Sequence, residues 1–576
     1  MGASKFYGAP IVITTLGGLM KKFASALTLC LLVSVLLFSC ASSSRAVPFS
    51  PFDIKVVNNT IQEMNIAYGV NEGSQPLPYP TKVKTNGTIS EASGLDLYIV
   101  HTNDVHGRMD SADGGMGYSA LLGYVNALRN ASKGNVLLLD AGDVSHGTNL
   151  ANFFKGETVM NLLGYMGYDA ITLGNHEFNN GLQQLDKNLL IALARDTAPV
   201  SNNIKLGGKR ILPPYKIFDF SGFKVGVIGL TTPSTKNQAN PLIVKDLDFE
   251  TSLQSDLLAT VNDVKSKADY VIVLGHIGLE PVGTEGITSL SLAKNVPGID
   301  LFVDGHSHSE LNEPLYEGTT PIVQTGEYLN NVGTIKLHID SNKNVTSFDA
   351  YLISKDEIEN PSSSTFLSSI GLTEKPSNAA VEDYITKKKA RLEEVYLEPV
   401  ARLNDEYKSD RSIVRAEQCD LGKLVVDALT ESVGADFGIL NGGSFRANLG
   451  PGVVTVGNIN NCLPFNNYVV LSSITGEGLY AALENGYKSY PELAGGFPQT
   501  NLLLEVDTNN DPGSRIISVA LPDGTAIEKD DTVYKVATND FIVAGGDGYT
   551  QFGSILQYKD QVNQVVMEYL KAKYPL

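Results

Sequence analysis

From Leu95 to Ser354 the chain repeats one arrangement: a short apolar run, a polar cluster that ends it, then a segment of helical pattern. Residues 97–100 lead into His101-Thr102-Asn103-Asp104-Val105-His106-Gly107, and residues 136–139 into Asp140-Ala141-Gly142-Asp143. Residues 169–173 lead into Gly174-Asn175-His176-Glu177, residues 270–274 into Gly275-His276, and residues 301–303 into Asp304-Gly305-His306-Ser307-His308. Apolar runs of this length read as buried strands, and their alternation with helices predicts an α/β fold built on βαβ units. In such sheets ligands bind beyond the carboxyl ends of the strands, which is where each carboxylate, imidazole or Asn stands here. One such residue would be a capped turn or a hydrogen-bonded core histidine; five polar strand ends in one half of the chain point to a site.

Outside this region the pattern changes. Met20-Lys21-Lys22 followed by an apolar run over 23–38 has the layout of a signal peptide, assigned to residues 1–39, with Met20 as its natural start. The run is too short for a membrane-spanning helix, which needs about 20 residues. Its end, Leu37-Phe38-Ser39-Cys40, resembles a bacterial lipobox, so Cys40 is expected to carry a lipid and hold the protein to a membrane. Residues 40–94, with Ser42-Ser43-Ser44 and Gln75-Pro76-Leu77-Pro78-Tyr79-Pro80, read as a tether with a short strand near 53–57. The first folded domain is placed at 95–355. A linker at 356–400 contains Pro361-Ser362-Ser363-Ser364 and a solvated helix over 379–396 that carries Lys387-Lys388-Lys389. A second α/β unit fills 401–576, with helices near 421–433 and 561–572 and strands near 436–440, 468–473 and 502–506.

Composition narrows the chemistry. A chain of 576 residues is too long for one core, so two large domains are expected. The net charge of −19 argues against a nucleic-acid polymer as partner, because that needs a basic footprint. A small anion would instead need a local cation inside an acidic envelope, and a metal supplies one. All 8 histidines lie at or before His338, which makes the first unit the metal domain. Of the 4 cysteines, Cys419 and Cys462 remain after the leader; they either pair or stay as buried thiols.

Asp104, His106, Asp143, Asn175, His276, His306 and His308 mix hard oxygen with imidazole nitrogen, which suits Zn, Mn, Fe or Co better than Ca. Seven donors exceed one ion and fit two divalent ions with a bridging carboxylate. Asp104-x-His106, Gly142-Asp143, Gly174-Asn175-His176-Glu177, Gly275-His276 and Gly305-His306-Ser307-His308 resemble, in order, the five blocks of the calcineurin-like metallophosphoesterases. The resemblance implies that Asp104, His106, Asp143 and His308 hold one ion. It gives the other to Asp143, Asn175, His276 and His306, with Asp143 bridging. It also implies attack on phosphorus by a metal-activated hydroxide, with His176 stabilising charge on the phosphoryl or leaving oxygens. Two positions depart from the family pattern. His308 stands where exported nucleotidases usually carry Gln, and Asn179 stands where an Asp usually pairs with the catalytic His.

In the second unit Arg411, Arg415 and Arg446 offer guanidinium forks for phosphate. Phe465 and Phe541 lie in polar, turn-rich surroundings where two rings could stack a base. Asp547, in Gly545-Gly546-Asp547-Gly548-Tyr549, can accept from sugar hydroxyls. Surface arginines and a plain glycine turn are the simpler readings of these features. Together they resemble the substrate domain of bacterial 5′-nucleotidases, the UDP-sugar hydrolase family, across residues 95–576. By that resemblance the arginines bind polar ligand groups, the two Phe sandwich the base and Asp547 contacts the ribose. The implied activity is release of phosphate from nucleoside 5′-monophosphates, with di- and triphosphates or UDP-sugars as further substrates. A 2′,3′-cyclic-nucleotide phosphodiesterase/3′-nucleotidase ranks second, and a non-catalytic nucleoside-binding surface lipoprotein third.

Overall fold

In the computed structural model the described residues are Tyr79 and 81–576, apart from 240, 250–252, 280, 282–285 and 466. The leader, Cys40, the tether to residue 78 and the strand expected near 53–57 lie outside the described residues.

Two mixed sheets face each other in the first domain. The six-stranded sheet runs in the order Val345–Ser354, Asn331–Ile339, Leu95–Thr102, Val136–Asp140, Ala170–Ile171, Ala198–Pro199. The seven-stranded sheet runs Lys82–Thr85, Tyr215–Phe220, Phe223–Thr231, Tyr270–His276, Leu301–Val303, Thr320–Val323, Leu315–Glu317. Their inner faces share one core, in which Leu97, Ile99, Leu137 and Leu139 meet Val225, Val227, Ile272 and Leu274. The alternation of these positions along each strand is the period-2 pattern of a pleated sheet. Val136–Asp140 is buried throughout, as expected of a parallel strand covered on both faces. Helices cover the outside: Leu253–Lys265 and Ser289–Asn295 pack on the seven-stranded sheet, and the Tyr124 hydroxyl of helix Gly117–Ala131 bonds Thr334 Oγ1 at 2.6 Å.

Parallel pairing, not a continuous βαβ succession, aligns the strand ends. Leu95–Thr102, Val136–Asp140 and Ala170–Ile171 run parallel in one sheet, and Phe223–Thr231, Tyr270–His276 and Leu301–Val303 in the other. Antiparallel hairpins close the edges, such as Asn331–Ile339 against Val345–Ser354.

Two expectations need correction. The fold already includes chain before residue 94: Lys82–Thr85 pairs in parallel with Tyr215–Phe220, and Lys84 reaches Asp169 at 2.6 Å. The Tyr79 hydroxyl donates to the Pro199 carbonyl at 2.8 Å. This short strand covers what would otherwise be an open sheet edge, and its few residues carry too little pattern to reveal it. Nor is the helix Ala379–Tyr396 merely solvated. Val381, Tyr384 and Ile385 are buried, Lys388 lies over the Phe154 and Tyr384 rings, and Lys389 pairs with Asp110 at 2.5 Å.

The second domain is a five-stranded sheet in the order Pro498–Thr500, Phe437–Asn441, Val533–Asn539, Tyr468–Thr475, Ile555–Gln561. One face packs on helices Asp420–Val433 and Val562–Lys573, the other on Gly476–Tyr487. Cys419 and Cys462 are free thiols; Cys419 caps the first of these helices by accepting from Gly422 N–H at 3.3 Å.

Candidate functional site

The loops that leave the aligned strands converge. Asp104 and His106 follow Leu95–Thr102, Asp143 follows Val136–Asp140, and Asn175 follows Ala170–Ile171. His276 ends its own strand, and His306 and His308 follow Leu301–Val303. Ligand atoms of Asp104, His106 and His308 lie within 4.8 Å of one another, as do those of Asp143, His276 and His306. A third such group joins His106, Asp143 and His176. His276 Nε2 stands 3.2 Å from Asp143 Oδ2, and His308 Nε2 stands 3.3 Å from both Asp104 Oδ1 and His106 Nε2.

Tight backbone geometry makes this convergence possible. Asp104, His106, Asp143, His306 and His308 all have positive φ, between 49° and 76°. Non-glycine residues in this region cost of order 1–3 kcal/mol each and persist where the surroundings impose them, typically at functional sites. Gly174 is needed for a different reason: a Cβ there would lie 2.1 Å from Asp143 Oδ1.

Electrostatics supply a test of whether cations belong here. Asp104 Oδ1 and Asn175 Oδ1 are buried and find no hydrogen-bond partner among the described residues. Such orphaned acceptors are costly unless something binds them. Burial works against a charge on His276, yet Asp143 and Asp104 push its pKa up to about 10. Burial likewise opposes charge on Asp143, but His276, His176 and His106 hold its carboxyl well below the usual range. Asp104 likewise draws His308 upward, whereas burial pushes His106 down and His306 down to about 4, so the carboxylates favour charge on only part of the imidazole cluster. The donor set, the clustering and the orphaned oxygens all fit a pair of divalent ions.

Several braces escaped the sequence reading. Glu177, fully buried, accepts from the backbone N–H groups of Asp143, Val144, Ser145 and Gly174 at 2.7–3.0 Å and from Ser145 Oγ. It thus fixes the Asp143 loop to the Asn175 loop; its place beside His176 in the same block is the signal that could have found it. Asn103 donates to Asp104 Oδ2 at 2.8 Å and accepts from Thr325. Glu327 bonds His308 Nδ1, orienting the ring so that Nε2 faces Asp104, the usual carboxylate–histidine support of a metal ligand. His146 is the fourth. Its ring stacks on that of His176, and burial together with His176 and His106 pushes its pKa down to about 3, leaving it neutral.

Asn179 Nδ2 lies 2.8 Å from His176 Nδ1 and 3.2 Å from His146 Nδ1. In the second domain Asn441 Nδ2 donates to Asp547 Oδ2 at 2.9 Å, and the Arg446 guanidinium lies over the Phe465 ring at 5.0 Å. Burial first, then the charges of Arg411 and Arg446, lower the Arg415 pKa, with Asp547 opposing them, so these four charged groups lie near one another. Phe541 lies against Gly546, beside Asp547, and like Phe465 it is about two-fifths exposed. The Tyr468 hydroxyl, three residues after Phe465, donates to the Asn179 carbonyl at 3.1 Å and so links this domain to the His176 loop.

Two facing sheets that deliver an Asp/His/Asn cluster from parallel strand ends define a metal-dependent phosphoesterase. Comparison with known proteins agrees. Residues 97–310 match the family model of calcineurin-like phosphoesterases, and residues 399–554 match that of the 5′-nucleotidase C-terminal domain. The chain is 28% identical to the 5′-nucleotidase of Vibrio cholerae over 83% of its own length and 91% of that protein's. It is 31% identical to the trifunctional nucleotide phosphoesterase YfkN of Bacillus subtilis over 92% of its own length, but spans only 37% of that longer protein. A solved 5′-nucleotidase precursor from Thermus thermophilus shares 26% identity and a TM-score of 0.50, covering 83% of this chain and 96% of the other. The chain belongs to the 5′-nucleotidase family of calcineurin-like metallophosphoesterases, and it is a hydrolase of that class.

Proposed function

We propose that this protein releases phosphate from nucleoside 5′-monophosphates, with Asp104, His106, Asp143 and His308 holding one divalent ion and Asp143, Asn175, His276 and His306 the other. The observation that carries this reading is the hydrogen bond from Tyr468 to the Asn179 carbonyl, which holds the start of strand Tyr468–Thr475, three residues after Phe465, against the His176 loop. Ions bound there supply Lewis-acid charge and an activated water at phosphorus. The chain's own groups do the rest. His176, held at Nδ1, presents its other nitrogen toward the reacting oxygens. Arg411, Arg415 and Arg446 bind polar groups of the ligand, Phe465 and Phe541 hold the base, and Asp547 takes a ribose hydroxyl. The protein named a 5′-nucleotidase in Vibrio cholerae supports this choice of substrate.

The test is phosphate release by protein loaded with Mn²⁺, Zn²⁺ or Co²⁺, using AMP, 3′-AMP, 2′,3′-cyclic AMP, ATP and UDP-glucose. AMP is expected to give the highest kcat/KM, and the last two substrates measure any phosphoanhydride cleavage. Preference for 3′-AMP or the cyclic ester would overturn the reading in favour of the phosphodiesterase/3′-nucleotidase class. No turnover with any metal would favour a binding protein.

Export and lipidation at Cys40 form part of the same proposal and rest on the leader pattern of residues 20–40. Cys40→Ser should abolish incorporation of labelled palmitate and move the protein from the membrane to the soluble fraction. Unchanged labelling would remove the anchor from the proposal.

A further inference from the structure

The short loop from Gly305 to Ser309 carries one ligand for each proposed ion, His306 and His308, and both are left-handed, with φ of 76° and 53°. Two such residues so close together persist only where the surroundings hold them. Strand Thr320–Val323 brings part of that hold. It pairs in parallel with Leu301–Val303, Val323 opposite Val303, so the next residue, Gln324, is set beside the loop. The Gln324 side chain is buried, and its amide reaches both ends of the loop. Oε1 accepts from Ser309 N–H at 2.5 Å, and Nε2 donates to the Gly305 carbonyl at 3.1 Å. These two backbone partners fix the amide's orientation, because turning it over would set NH₂ against N–H and oxygen against a carbonyl. Ser307, between the two ligands, has its Oγ 3.2 Å from both amide atoms and accepts from Leu279 N–H at 3.2 Å, which ties the loop to the segment after His276.

We propose that Gln324 is a positioning residue that clamps the loop from Gly305 to Ser309 and so sets the placement of His306 and His308 relative to each other. Backbone pairing already fixes the chain on either side of the clamp. Asp304 N–H donates to the Val323 carbonyl at 2.9 Å, and Gly326 N–H to the Ser309 carbonyl at 3.0 Å. Within that span His306 N–H is also held, by Asp104 Oδ2 at 2.8 Å. The His308 ring is oriented by Glu327, but a bond to the ring does not hold its backbone in the left-handed region. Loss of the clamp therefore frees His308 more than His306, and an ion served by His308 should be weakened most. The inference rests on the ligand sets proposed above, yet the clamp itself acts in the metal-free protein and can be measured there.

Gln324→Met keeps the length of the side chain and removes both bonds. Calorimetric titration of metal-free protein with Mn²⁺ should show the weaker Kd raised about 10–100-fold, as when outer support of a ligand is lost. The kcat for p-nitrophenyl phosphate should fall at limiting Mn²⁺ and return to within about threefold of wild type at saturation, with KM within about twofold. In the metal-free variant, backbone amides of 305–311 should exchange hydrogen faster, while those of Leu95–Thr102 and Val136–Asp140 keep their wild-type rates. Gln324→Asn, an amide one methylene too short to reach both ends, should show the same losses and serves if the Met variant does not fold. Thr334→Val, which breaks the Tyr124 bond elsewhere in the same domain, should leave Mn²⁺ affinity unchanged. Wild-type affinity in the Gln324 variants would overturn the proposal, as would an equal loss in Thr334→Val, which would make the effect one of general stability. Absence of Mn²⁺ binding by wild-type protein would instead remove the proposed ion pair, and the exchange rates of 305–311 would still report the clamp.

Discussion

Glu177 shows how a single carboxylate can organise a site without touching its ligand. Its two oxygens take four backbone N–H groups and one hydroxyl, all of which would be buried and unpaired without it. Gln at this position replaces one acceptor oxygen with a donor that faces N–H groups. The expected cost of Glu177→Gln is about 1.5–3 kcal/mol, the range for hydrogen bonds to a charged group. Metal affinity should fall about 10–100-fold, as it does when outer support of ligands is lost. Urea titration of metal-free protein and elemental analysis after dialysis measure the two effects; wild-type values in both would remove the bracing role. Asp143→Asn addresses the next atom inward. It should weaken both ions, whereas His308→Ala should mainly weaken one. Two full equivalents retained in Asp143→Asn with normal turnover would exclude a bridging role.

Among the elements, the junction of strand Tyr468–Thr475 with the short helix Asp540–Val543 has the clearest pH signature. Asp540 accepts from Tyr468 N–H at 3.1 Å, and burial pushes its pKa up to about 6. An unfolded Asp titrates near 3.9, so between about pH 4 and 6 the folded state holds a proton that the unfolded state has lost. Stability therefore falls as pH rises through that window, and the full penalty is present above it. Asn at this position can accept from the same N–H and carries no charge. Asp540→Asn should accordingly match wild type near pH 4 and gain on it up to pH 6, with a constant difference beyond. Parallel stability–pH curves from urea midpoints would refute the assignment. The helix Ala379–Tyr396 shows a different lesson at the same level. Its Lys387-Lys388-Lys389 run reads as one solvated patch, yet each lysine has its own fate: Asp383 at 2.7 Å, the Phe154 and Tyr384 rings, and Asp110. A linear charge pattern cannot distinguish these, because the partners of Lys388 and Lys389 include residues more than 200 positions away.

For the molecule as a whole the proposed division of labour is chemistry in the first domain and ligand recognition in the second. Phe465→Ala and Phe541→Ala should each raise KM for AMP about tenfold, since stacking a base on an aromatic ring contributes about 1–3 kcal/mol. The small ester p-nitrophenyl phosphate, with no base to stack, should be hydrolysed nearly as before. Steady-state kinetics on both substrates separate the roles, and equal losses would mean that the rings support the fold. Among the described residues no helix is long and apolar enough to cross a membrane.

The residues chiefly legible in the sequence are those whose identity is set locally. A buried parallel strand must be apolar, so Val136–Asp140 announces itself, and a polar residue at its end stands out against that run. The five polar blocks, the two-domain division and the helix over 379–396 follow from such contrasts. Pairing across long separations leaves no local trace. Lys82–Thr85 could not be seen as a strand because its reason for existing is the edge of Tyr215–Phe220, more than 130 residues on. Glu177, Glu327 and His146 are ordinary polar residues in the chain; they become braces because a donor, a ligand ring or an amide is delivered to them by another loop. The positive φ angles of Asp104, His106, Asp143, His306 and His308 belong to the same category. Periodicity and composition report what each segment prefers, whereas strain and satisfied buried hydrogen bonds depend on what the surrounding fold can impose.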